Sequence, residues 1–147
     1  MSGIVVGVDG SEHSHLALGW ALHEAAQRRV PLTVVSVRQL PVRPATDIYW
    51  AGPDLPGDGL GEDVQRQAAE RLQEFVDKVA ADTAENVASI TVTAVLGDPA
   101  EELIRASRDA DLLVVGSRGS GGFARLLLGS VSSKVVHHAA CPVVVIR

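Results

Sequence analysis

The sequence predicts a single α/β domain built on an open, largely parallel five-stranded sheet with helices on both faces, and three observations carry that expectation. Five short apolar runs rich in Val and Ile alternate with four longer segments whose apolar residues recur at three- and four-residue steps. Most of the short runs are continuously apolar, as strands covered on both faces are. At 147 residues the chain has the length of one domain, enough to bury about 70% of the surface its unfolded form exposes.

Residues 3–8 read as the first strand, a β-branched run closed by the turn Asp9-Gly10-Ser11. Ser11 is an N-cap for a helix over 12–28, with Leu18, Ala21, Leu22 and Ala25 on one face. Pro31 ends that pattern, and the Val-rich run 32–37 is the second strand. Residues 39–61 break the rhythm: they hold four of the seven prolines and four of the fourteen glycines, and read as a flexible loop. Tyr49 and Trp50 in that loop are either a cover for a ligand or a local apolar anchor.

Helical spacing returns over 62–83 through Ala68, Leu72, Phe75, Val76 and Val79, and residues 90–96 then alternate as a less deeply buried strand does. Asp98-Pro99-Ala100-Glu101 marks a helix start by its N-cap acid, its proline at the first helical position and its third-position Glu. Residues 111–115 are the fourth strand, 130–139 the fourth helix and 142–146 the fifth strand.

Composition removes several function classes. A net charge of −5 argues against binding a nucleic-acid backbone, and two Phe, two Trp and one Tyr leave few rings for bases to stack upon. Cys141 is the single cysteine, so neither an internal disulfide nor a structural zinc site is expected, and it reads as a small hydrophobe. No run of about 18 apolar residues points to a membrane span, and the first residues lack a basic n-region, so a cytoplasmic setting is expected. His137 and His138 fall near the end of a helix, where its dipole favours a cation.

The chemistry concentrates in residues 114–133, V-V-G-S-R-G-S-G-G-F-A-R-L-L-L-G-S-V-S-S, between a strand and a helix. Glycines there let the backbone approach an anion, and the following helix start offers unpaired amides and about half a positive charge. Ser130, Ser132 and Ser133 add hydroxyls. Two familiar loops do not fit. Gly119 to Ala124 reads as GxGxxA, but it lies in the last third of the chain with no acid about 20 residues on to hold a ribose. Gly116 to Gly121 has the glycine spacing of a P-loop, yet Gly122-Phe123 stands where Lys and Ser or Thr are required.

What remains, G-x2-G-x9-G-S over Gly116, Gly119, Gly129 and Ser130, resembles the ATP-binding branch of the universal stress protein family. The opening I-V-V-G-V-D-G-S-E-H-S, the Gly97-Asp98-Pro99 segment and the ending H-A-A-C-P-V-V-V-I resemble the same family, so the likeness runs from residue 4 to residue 146. The resemblance implies a doubly wound sheet of strand order 3-2-1-4-5, which sets strands one and four side by side at a switch point where such sheets bind ligands. It implies ATP as the ligand, with Gly116, Gly119, Gly129, Ser130, Val131 and Ser132 around the triphosphate. Arg118 would make mainly a backbone contact in that loop. Gly7, Val8, Val37 and Val115 would form the apolar slot for adenine. Asp9 would accept from the ribose or nucleobase, or hold a metal ion such as Mg2+ through water, or simply cap the first helix with Ser11.

The resemblance also implies a homodimer that pairs strand 143–146 with its copy, since that run is an apolar sheet edge without charge or proline. The expected function is a nucleotide-dependent regulatory switch over the domain 1–147, because phosphoryl transfer needs a metal clamp, a charge-stabilising cation and a positioned base, and the sequence offers one plausible carboxylate and no phosphate-loop lysine. The alternatives are a nucleotide-hydrolysing or nucleotidyl-transfer enzyme on the same kind of sheet, or a structural dimer module with an empty crevice.

Overall fold

The computed structural model describes residues 2–39, 59–83, 86–117 and 128–147. Strands β1 (Ile4–Val8), β2 (Leu32–Arg38), β3 (Ile90–Leu96), β4 (Leu112–Gly116) and β5 (Val143–Ile146) form one sheet in the order β3-β2-β1-β4-β5. Every pairing is parallel, with Ile4 opposite both Leu32 and Leu112. This is the strand order that the resemblance implied.

Alternation along β1 divides the core. Ile4, Val6 and Val8 point to one face, where α1 (Glu12–Arg28) and α2 (Gly59–Thr83) cover them with Leu18, Leu22, Leu72 and Val76. Val5 points to the other, packed with Val35, Leu113 and Val115 beneath α3 (Pro99–Ser107) and α4 (Ser130–His138). The chain therefore leaves β1 toward one face and β4 toward the opposite face, which opens a gap between their carboxyl ends.

Helix boundaries follow local chemistry. The Ser11 hydroxyl accepts the Ser14 amide to start α1, and the Asp98 carboxylate accepts the Glu101 amide ahead of Pro99 to start α3. Helix α1 ends at Arg28, three residues before Pro31. Arg29 adopts a left-handed conformation (φ 58°), and its amide reaches back to the carbonyls of Ala25 and Ala26. Helix α2 begins at Gly59, inside the stretch the sequence assigned to a loop, because a first turn requires no amide donors and tolerates glycine there.

Edge strand β3 is only half-buried, as its alternation predicted. Ser107, 1% exposed, ties the two ends of the α3–α4 layer together. Its hydroxyl donates to the Ile104 carbonyl and accepts the Ala140 amide at 2.9 Å, which sets the turn that leads into β5.

Candidate functional site

The gap at the carboxyl ends of β1 and β4 is a crevice of about 480 Å3. Ten residues singled out from the sequence line it. Gly7, Val8 and Asp9 arrive from β1 and its end, Val37 from β2, and Val115 and Gly116 from β4. Gly129 and the first turn of α4, Ser130, Val131 and Ser132, close the far side. Arg118 and Gly119 lie outside the described residues, as do Tyr49 and Trp50.

The turn after β1 is shaped by its own side chains. An Asp9 carboxylate oxygen accepts the Ser11 amide at 2.9 Å, and Gly10 between them takes φ 84°, a conformation that costs a side-chain-bearing residue energy. The Ser14 hydroxyl donates back to the Ser11 carbonyl at 2.9 Å. Asp9 therefore stabilises the entry to α1 and also faces the crevice.

On the opposite wall, the Ser117 carbonyl is the organising group. It accepts the Gly129 amide at 2.6 Å and the Ser132 hydroxyl at 2.9 Å, so the two ends of segment 118–127 are clasped together. Ser117 is 2% exposed, and its hydroxyl lies 3.2 Å from His13 Nδ1 on α1. Ser132 is equally buried, and its hydroxyl also reaches the Gly129 carbonyl at 3.2 Å. A buried hydroxyl must be paired, and this one is committed to backbone. That leaves the Ser132 amide, rather than its hydroxyl, to face a ligand.

Two glycines at the crevice lie in close contact with helices above the sheet. A Cβ on Gly116 would stand 2.9 Å from His13 Cβ and 3.0 Å from the His13 carbonyl carbon, so only glycine lets α1 seat its first turn against the end of β4. A Cβ on Gly7 would stand 2.9 Å from both methyls of Leu103, which descends from α3 onto β1. The sequence motif attributes Gly116 to anion approach, whereas the structure shows helix approach as a sufficient cause.

The crevice is apolar at one end and amide-rich at the other. Val35, Val37, Val115 and Leu103 supply the apolar wall. Gly129, the N-cap of α4, makes no side-chain capping bond, so the amides of Ser130, Val131 and Ser132 keep the partial positive charge of a helix start. The sequence reading missed Val35, Leu103, Ser14, Ser36, Arg38, Gln39 and Pro99, all of which line the crevice. Val35 was recoverable, since it lies two residues before Val37 and thus on the same sheet face. Leu103 and Pro99 enter through α3, whose position over Gly7 is a tertiary fact. Among the described residues no group of three or more His, Cys, Asp or Glu is arranged to hold a metal ion, and no helix is long and apolar enough to cross a membrane.

Comparison with known proteins places this architecture. The chain is 39% identical over 145 residues to universal stress protein Rv2005c of Mycobacterium tuberculosis, an alignment covering 99% of this chain and 48% of that protein. The chain thus spans about half the length of the curated relatives it matches. Among solved structures it is similar to the universal stress protein UspA of Lactobacillus plantarum, with 26% identity, a TM-score of 0.76, and 99% and 97% of the two chains covered. It is also similar to a universal stress protein in complex with cAMP, with 26% identity, a TM-score of 0.66, and 99% and 96% of the two chains covered. The universal stress protein family matches residues 1–147, and with the strand order and these relatives it establishes that the chain belongs to that family.

Proposed function

We propose that the crevice binds an adenine nucleotide, ATP in the first instance, and that the chain works as a nucleotide-dependent switch in the stress response rather than as a fast catalyst. The observation that carries this reading is the pairing of an uncapped helix start at Gly129 to Ser132 with a valine-lined slot in one crevice. An anion is favoured at such amides, and a flat apolar base is favoured between the valines and Leu103. That a similar universal stress protein forms a complex with cAMP supports the same ligand class.

Arg118 and Gly119 would complete the phosphate loop. Asp9 is the one carboxylate among the described lining residues, so a Mg2+ held there would take its remaining oxygen ligands from the nucleotide and from water. One carboxylate and one guanidinium, Arg38, among the described lining fit binding better than phosphoryl transfer. In this reading the protein acts in the cytoplasm as a homodimer joined at β5.

The decisive variant is Ser130→Pro. Proline is well accepted at the first helical position, and Gly129 already has the extended conformation (φ −73°, ψ 171°) that precedes a proline. The change deletes one amide donor and leaves the helix intact. Calorimetric titration with ATP should show affinity falling about tenfold or more, the loss of one hydrogen bond to a charged group. Ser130→Ala isolates the hydroxyl's share. No heat and no thermal shift with ATP in the unaltered protein, or full affinity in Ser130→Pro, defeats the proposal.

A further inference from the structure

A second pocket, of about 330 Å3, continues from the first around the end of β1. The two share Val8, Asp9, Ser36 and Arg38, so they adjoin at the carboxyl ends of β1 and β2. The second pocket is walled by α2 through Gln67, Arg71, Leu72 and Phe75. Among its described lining residues two arginines, Arg38 and Arg71, accompany one carboxylate, Asp9.

Two arginines, Arg38 and Arg71, border this second pocket. Arg28, Arg66 and Arg105 each pair with a carboxylate one helical turn away. Neither Arg38 nor Arg71 has a side-chain partner among the described residues. They come from different elements, β2 and α2, and border one concavity. Two arginines without an ion-pair partner among the described residues, bordering one pocket, suit a phosphate or carboxylate.

The placement relative to the first crevice sets the ligand class, on the footing that the crevice binds a nucleotide as proposed above. The amide-rich start of α4 takes the 5′-phosphates on the β4 side. Arg38 and Arg71 lie on the β2 side, with Asp9 at the end of β1 between them. We infer that the second pocket is an anion subsite for a group carried on the ribose, so that the preferred ligand is an adenosine nucleotide phosphorylated at the 3′ position as well as the 5′. Asp9 then accepts the remaining 2′-hydroxyl, the one ribose group that donates.

The test compares adenosine 3′,5′-bisphosphate with 5′-AMP by calorimetric titration of the whole chain. The bisphosphate is expected to bind about tenfold or more tightly, the return of a charge-assisted contact, and its affinity should fall more steeply with salt. Arg71→Gln, an exposed change to another good helix former, should remove that advantage and leave AMP binding unchanged. AMP binding with no gain from the 3′-phosphate overturns this inference and leaves the proposed function standing. So does an equal loss for both ligands in Arg71→Gln. Failure of the unaltered protein to bind either nucleotide overturns both.

Discussion

Replacing Gly116 with alanine tests whether the end of β4 and the start of α1 form one rigid wall. The added methyl would sit 2.9 Å from His13 Cβ, 3.0 Å from its carbonyl carbon and 3.1 Å from its carbonyl oxygen. Comfortable carbon–carbon contact begins near 3.5 Å, so α1 must retreat by roughly half an ångström. Two of the three obstructing atoms are backbone, so no side-chain rotation relieves the clash. The retreat would also stretch the contact between Ser117 Oγ and His13 Nδ1, now 3.2 Å. Overpacking of this kind costs about 1–3 kcal/mol, against a gain of about 0.4–1 kcal/mol from a stiffer unfolded chain. A net loss of about 1–2 kcal/mol is expected, and for a chain of this size it lowers Tm by about 2–8 °C. Urea unfolding should show a lower midpoint at unchanged slope. Equal or greater stability in Gly116→Ala would refute the reasoning, because it would mean that the first turn of α1 floats freely above the sheet.

Gly7→Ala meets only the methyl ends of Leu103, which can turn aside, so it should cost less stability than Gly116→Ala. The displaced Leu103 lines the crevice, however, so nucleotide affinity by titration should drop more than Tm does. Ser107→Ala strands the Ala140 amide and should cost about 1–2 kcal/mol, with faster hydrogen exchange at Ala140 as the specific signature. Burial, and then the nearby charge of Asp111, push the Cys141 thiol above its ordinary value of 9.0. Alkylation by iodoacetamide should therefore be slow at neutral pH and accelerate in Asp111→Asn. The folded state disfavours that thiolate, so this stability contribution is complete below the ordinary thiol value and is lost as pH rises through the raised one. Val144→Lys places a charge on edge strand β5 and should shift the protein toward monomer in sedimentation, and an unchanged mass at low concentration rules out this edge as the homodimer contact.

Much of this protein was legible in the chain because its signals are local. Short Val- and Ile-rich runs bounded by turn residues fit strands buried on both faces, and β1, β2 and β4 lie where those runs lie. Ser11 and Asp98 cap helices through their own side chains, so α1 and α3 begin where a capping residue stands. The glycine and serine spacing around Gly116, Gly129 and Ser130 marked the amide-rich end of the crevice for the same reason: amides at a helix start need no distant partner to be available. Other features arise only when the sheet is assembled. Gly116 is needed because the backbone of His13 descends on it from α1, and Gly7 is pressed by the methyls of Leu103 from α3, both far away in sequence. The Ser132 hydroxyl is taken by a carbonyl 15 residues earlier. Arg38 and Arg71 share a pocket because α2 packs against β3 and α1, which brings its residue 71 to the end of β2, a distance no periodicity records. Composition and spacing determine what each segment is able to form, and packing decides which polar groups remain free to meet a ligand, since burial forces every other one to find a partner inside the protein.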